Sequence, residues 1–158
     1  MNSPANNTIT SEVDPATGVT VTTERDGDGT VIGTTTTTLD GTQTVEMAPD
    51  ENGDVRVVED GREIDPAGVA DTYHVERIKK PDGSSAFSRT ETSDNGSDTT
   101  VEGSVDAEGN ESYTMRTTEA DGTTTLTTRT TGPDGHGSEH VTVTGSDGSV
   151  QSDTTIDI

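Results

Sequence analysis

Apolar residues are thin along this chain, and where they occur they tend to fall two apart. Tyr113 and Met115, Val141 and Val143, and Ile156 and Ile158 are such pairs, with Thr, Ser, Glu and Arg around them. A period of two puts alternate side chains on opposite faces of an extended strand. No segment shows the three-to-four spacing of an amphipathic helix, so the predicted elements are strands. The runs VTVTTE (19–24), TVIGTTTTTL (30–39), TQTVEM (42–47) and DVRVVED (54–60) read the same way. Thr supplies 33 of the 158 residues. It is β-branched and stiff at χ1, and it suits a pleated surface even when that surface is wet.

The strands are punctuated by a repeat. Gly83, Gly96, Gly109, Gly122, Gly135 and Gly148 stand 13 residues apart, in PDG, DNG, AEG, ADG, PDG and SDG. Gly29, Gly41 and Gly53 keep a looser spacing of 12. Such a unit fits one strand of about nine or ten residues and a three- or four-residue hairpin loop, because Gly accepts the positive φ that follows a type I turn. Each unit reverses the chain, so successive units form an antiparallel meander, with six strands over 81–158. Asp60-Gly61 reads as a further turn, and Asp14-Pro15-Ala16-Thr17-Gly18 and Asp65-Pro66-Ala67-Gly68 as wider ones.

The predicted fold is therefore all-β: a meander of roughly 10–12 short strands, forming a single-layer or rolled sheet that neighbouring subunits complete. Residues 1–10 form an N-terminal segment suited to strand exchange, and 11–61 a first meander segment. Residues 62–80 form an irregular connection and a strand, and 81–158 the regular repeat. One face is predicted to be faintly apolar and the other fully wet.

Composition sharpens this picture. Only 23% of residues are hydrophobic and 2% aromatic, with no Trp, one Phe and two Tyr. A sandwich or filled barrel needs an apolar layer from two sides, and this chain cannot supply one. Disorder is the usual outcome of so little apolar surface, but the Thr content and the regular turns oppose it here. The net charge of −22 argues against a nucleic-acid partner, which needs a basic field. No apolar run has the length needed for membrane insertion. There is no Cys, hence no disulfide framework or thiolate chemistry. MNSPANNTIT lacks the basic and apolar regions of a cleaved signal peptide.

Candidate chemistry is sparse. His136, Glu139 and His140 spell H-x-x-E-H, a zinc-peptidase pattern that works on a helix. In a strand those histidines stand roughly 13 Å apart, too far for one metal. Asp26-Gly27-Asp28-Gly29-Thr30 resembles the opening of a calcium loop but fails after two ligands, Asp26 and Asp28. That pair is the one candidate for weak calcium binding, and no other cofactor is expected. Arg77, Lys79 and Lys80 form the only basic cluster. No nucleophile–base set or phosphate loop is present, so the chain does not read as an enzyme.

Residues 106–135, DAEGNESYTMRTTEADGTTTLTTRTTGPDG, resemble RHS/YD-type repeats, in which Asp-Gly turns link meandering strands into a spiralling sheet. The Tyr-Asp pair of those repeats is absent and the period differs, so the resemblance lies in turn chemistry.

The functional expectation is a non-catalytic structural protein that self-associates by β-strand addition, its partner another copy of itself, as an extracellular or cell-surface fibre or matrix component. Ile9, Ile156 and Ile158, in terminal strands without Lys or Pro, are the assembly candidates. Two alternatives stand beside it. One is a calcium-responsive acidic module exported by a type I-like route, whose tails DTTIDI resembles; the other is a fibre or tail part of a phage virion.

Overall fold

The computed structural model describes residues 7–64 and 68–158, which form one antiparallel sheet of 12 strands and its turns. The strands are β1 (Thr8–Val13), β2 (Thr20–Arg25), β3 (Val31–Thr37), β4 (Gln43–Met47), β5 (Val55–Ile64) and β6 (Ala70–Lys79). They continue with β7 (Ser85–Ser93), β8 (Asp98–Val105), β9 (Glu111–Thr118), β10 (Thr124–Thr131), β11 (Gly137–Thr144) and β12 (Val150–Asp157). Spatial order equals chain order, and each strand touches only its sequence neighbours. The sheet does not close into a barrel, and among the described residues no second layer covers either face.

The turns explain this order. Nine described hairpins share one hydrogen-bond pattern, seen at Gly122: its N–H donates to the Glu119 carbonyl, and the Glu119 N–H donates to the Thr123 carbonyl. That is a type I turn closed by a left-handed residue, and the glycine φ values in these turns run from 81° to 90°. An Asx oxygen braces every one of the nine by accepting the N–H of the residue after the glycine. Asp40, Asp82, Asn95, Asp121, Asp134 and Asp147 do so from just before the glycine. Asp26, Asp50 and Asp106 do so from the start of the turn, each also taking the N–H two residues on. The Asp14–Gly18 turn is wider, as expected, with Gly18 N–H on the Asp14 carbonyl. Of the expected Asp65–Gly68 turn, residues 65–67 lie outside those described; Gly68 has φ 87°.

The repeat also fixes the outline of the sheet. Residues in register on strands two apart differ by two repeats: Val75, Val101 and Thr127 lie in one row with Arg89, Met115 and Val141. The turns recur with the same interval, so they do not drift along the rows. Gly83, Gly109 and Gly135 stand along one side and Gly96, Gly122 and Gly148 along the other. Same-side turns touch: a Cβ on Gly96 would lie 3.2 Å from Ala120 Cβ, and one on Gly122 3.2 Å from Ser146 Cβ. Barrel closure needs strands that tilt and step along one another, and an even-edged ribbon has no such step.

Cross-strand partners share a face. The front face carries the row from Val75 to Val141 and the row Val57, Arg77, Phe87, Gly103, Tyr113, Arg129, Glu139 and Ile156. The three expected apolar pairs all lie on it. Burial is shallow: Val75 (5% exposed), Ala70 and the front-face Thr127 and Thr131 are buried, and among the described residues no side chain is fully enclosed.

Two expectations need correction. Asp60-Gly61 is not a turn, and residues 62–64 are not part of an irregular connection: β5 runs unbroken through them, and the sheet continues into β6. Gly61 pairs with Tyr73, whose ring occupies the space a side chain at Gly61 would take. Phe87 covers its partner Gly103 in the same way. These strand glycines serve close packing of an aromatic ring rather than a reversal. The second correction concerns the back face, which is not fully wet. Consecutive Val57 and Val58 must point to opposite faces, and Val58 pairs with Val45 on the back, both half-buried.

Candidate functional site

An antiparallel strand alternates between residues that bond to their neighbour and residues whose N–H and C=O point away from it. In the last hairpin Gly137 and Ile158 exchange both bonds, at 2.8 and 3.0 Å. Counting back along β12, Ile156 and Thr154 also face β11, while Asp157, Thr155 and Asp153 present their backbone groups outward. In the first hairpin the Asp14 N–H donates to the Val19 carbonyl at 2.9 Å. Glu12, Thr10 and Thr8 therefore face β2, and Val13, Ser11 and Ile9 present outward groups. Among the described residues nothing pairs with either outer edge.

Every residue of β1 and β12 is exposed, and neither strand contains Lys, Arg or Pro. The named assembly residues are placed on both edges but on different faces. Ile9 is 66% exposed and lies on the back face of β1. Ile156 is 48% exposed and lies on the front face of β12. Ile158 follows β12 directly and exchanges both backbone bonds with Gly137. Of the expected exchanged segment 1–10, residues 1–6 lie outside those described.

The front face holds a second cluster that the sequence pattern did not single out. Arg89 lies 4.7 Å from the Tyr73 ring centroid and pairs with Glu91 and Glu63. The Tyr73 hydroxyl donates to Glu59 Oε1 at 3.1 Å. Burial against the sheet and the neighbouring carboxylate push the Tyr73 phenol up. Farther along, Phe87, Val101, Val105, Tyr113 and Arg129 line a shallow hollow of about 480 Å³. A signal for the Arg89–Tyr73 cluster existed in the opposition of Gly61 to Tyr73, but reading it requires the β5–β6 register. On the back face, Arg56 makes a bidentate pair with Glu76 at 2.9 Å, which holds that carboxyl below its usual range.

The metal candidates fall differently. One Asp26 carboxylate oxygen already accepts the N–H groups of Asp28 and Thr30, and Asp28 sits inside the same turn. His136 lies in a turn, Glu139 on the front face, and His140 on the back face paired with Asp153. His74 pairs with Asp60 at 2.6 Å on the same back face. Among the described residues no three His, Asp or Glu side chains are grouped to hold a metal ion. Arg77, Lys79 and Lys80 lie at the end of β6, and among the described residues none of them makes an ion pair.

Four of the turn carboxylates share one electrostatic property. Asp40, Asp50, Asp82 and Asp147 are held below the ordinary Asp range, chiefly by the Thr38 hydroxyl, the Asp54 N–H, the Ser84 hydroxyl and the Ser149 hydroxyl respectively. Asp40 and Asp147 lie in one row of turns and Asp50 and Asp82 in the other, and same-side turns stand about 10 Å apart, two strand spacings. The arrangement therefore offers hydrogen-bonding edges and a thin apolar front face set between two acidic margins. Comparison with protein-family models, with curated proteins and with solved structures yields no match to this chain.

Proposed function

We propose that this chain is a non-catalytic structural protein that assembles with copies of itself by β-strand addition, as a component of an extracellular or surface fibre or matrix. The observation that carries the reading is the pair of fully exposed edge strands bounding a one-layer sheet. An open edge is a row of unmet donors and acceptors, and natural monomers blunt it with Lys, Pro or a covering element. Neither edge strand here has Lys or Pro. Self-addition satisfies those groups and leaves the acidic turn rows outside, where they keep the assembly soluble.

Electron microscopy and light scattering of the intact chain, beside a chain lacking residues 149–158, test this. Regular assemblies from the intact chain and none from the truncated one are expected, with β circular dichroism retained in both. An intact chain that stays monomeric at high concentration, or a truncated one that assembles normally, overturns the proposal.

A further inference from the structure

Resting on that reading, we infer that copies join head to tail, β12 of one against β1 of the next, antiparallel and in a single register. Chain direction comes first. β11–β12 and β1–β2 turn on the same side of the sheet, so β12 starts beside the row of turns at which β1 ends. Laying β1 of a second copy against β12 therefore continues the alternation of the meander, and both faces carry through.

The outward groups then match in number and phase. Asp157, Thr155 and Asp153 on one edge meet Ile9, Ser11 and Val13 on the other, and all six side chains lie on the back face. Thr155 opposite Ser11 extends an existing contact, since Ser11 already bonds the Thr22 hydroxyl at 2.8 Å. Hydroxyl pairs of this kind hold internal strands as well, at Thr99–Thr117 and Ser104–Ser112, both 3.0 Å. No like charges oppose each other in this register: Glu12 faces Thr154, and the two Asp residues face Ile9 and Val13.

The two-fold alternatives are poorer. β12 against β12 centred on Thr155, which pairs all three outward residues, sets Asp153 opposite Asp157 at both ends of the junction, and directly opposed like charges destabilise a strand pair. β1 against β1 leaves both β12 edges unpaired. Head-to-tail joining pairs every edge except the two at the filament ends, and the product is open-ended rather than a closed dimer.

The test uses proline at outward-facing positions, where the intrachain ladder loses no donor. Ser11→Pro blocks β1, and Thr155→Pro blocks β12. Sedimentation should find each variant monomeric alone, and an equimolar mixture should double in mass to a 1:1 dimer and stop there. Dimers of Thr155→Pro alone mean β1–β1 pairing, and dimers of Ser11→Pro alone mean β12–β12 pairing; either overturns the inference. So do a mixture that stays monomeric while the unsubstituted chain assembles, and variants that assemble like it. An unsubstituted chain that is itself monomeric overturns instead the self-association reading on which this rests. Ser11→Lys and Thr155→Lys give the same arms if proline unsettles either strand, with circular dichroism checking β content.

Discussion

Replacing Gly135 and Gly122 by alanine separates two costs that the turns impose. Gly135 has φ 82° and open space around the position of its missing Cβ. Gly135→Ala therefore introduces backbone strain alone, worth about 1–2 kcal/mol for an L-residue held left-handed. Gly122 has nearly the same φ, 84°, but its Cβ would meet Ser146 Cβ at 3.2 Å. Gly122→Ala adds crowding between same-side turns, about 1 kcal/mol more on the scale of mild overpacking. Because each strand touches only its neighbours, both losses should stay local, as in a repeat protein. Amide hydrogen exchange reads this directly. Gly135→Ala should speed exchange in β10 and β11 by roughly 5–30-fold, the factor that 1–2 kcal/mol represents, and leave β5 and β6 unchanged. Gly135→Asn should be milder, since Asn tolerates the left-handed region. Equal loss of protection across all strands would refute the nearest-neighbour reasoning. A Gly135→Ala effect as large as that of Gly122→Ala would refute contact between successive turns.

Lowering the pH in about 1 M salt, where charges are screened beyond roughly 3 Å, isolates the turn carboxylates. The folded pKa values of Asp40, Asp50, Asp82 and Asp147 lie below the ordinary Asp value of 3.8, so their stabilisation is complete well above 3.8 and is lost as the pH falls through the folded values; melting curves that stay flat below pH 3.8 would contradict it. At neutral pH, added salt should raise the melting temperature, because carboxylates along each turn row sit about a Debye length apart at 0.1 M; a flat or falling response refutes repulsion between the rows. Phe87→Ala, which uncovers Gly103 on a half-buried front face, should cost about 1–2 kcal/mol, seen as faster exchange in β7 and β8.

The sequence by itself determined the class and connectivity of this sheet. Thirteen-residue spacing of Gly83 to Gly148 forces a reversal at each unit, and the Asx oxygen within each turn is local chemistry that needs no distant partner. The pairing of Tyr113 with Met115 and of Val141 with Val143 on one face follows from the period of two alone. Tertiary structure decided what depends on register. Gly61 carries the same Asp-Gly signal as the turns, yet Tyr73 from the next strand lies over it, and only cross-strand pairing distinguishes the two uses of glycine. The Arg89, Tyr73, Glu59 and Glu63 cluster spans three strands and is invisible along any one of them. The edges divide in the same way. Ile9 and Ile156 were legible as exposed apolar residues of terminal strands. The outward turn of Ser11 and Thr155 depends on which residues bond inward, and that phase is set by the hydrogen bonds of Asp14 with Val19 and of Gly137 with Ile158.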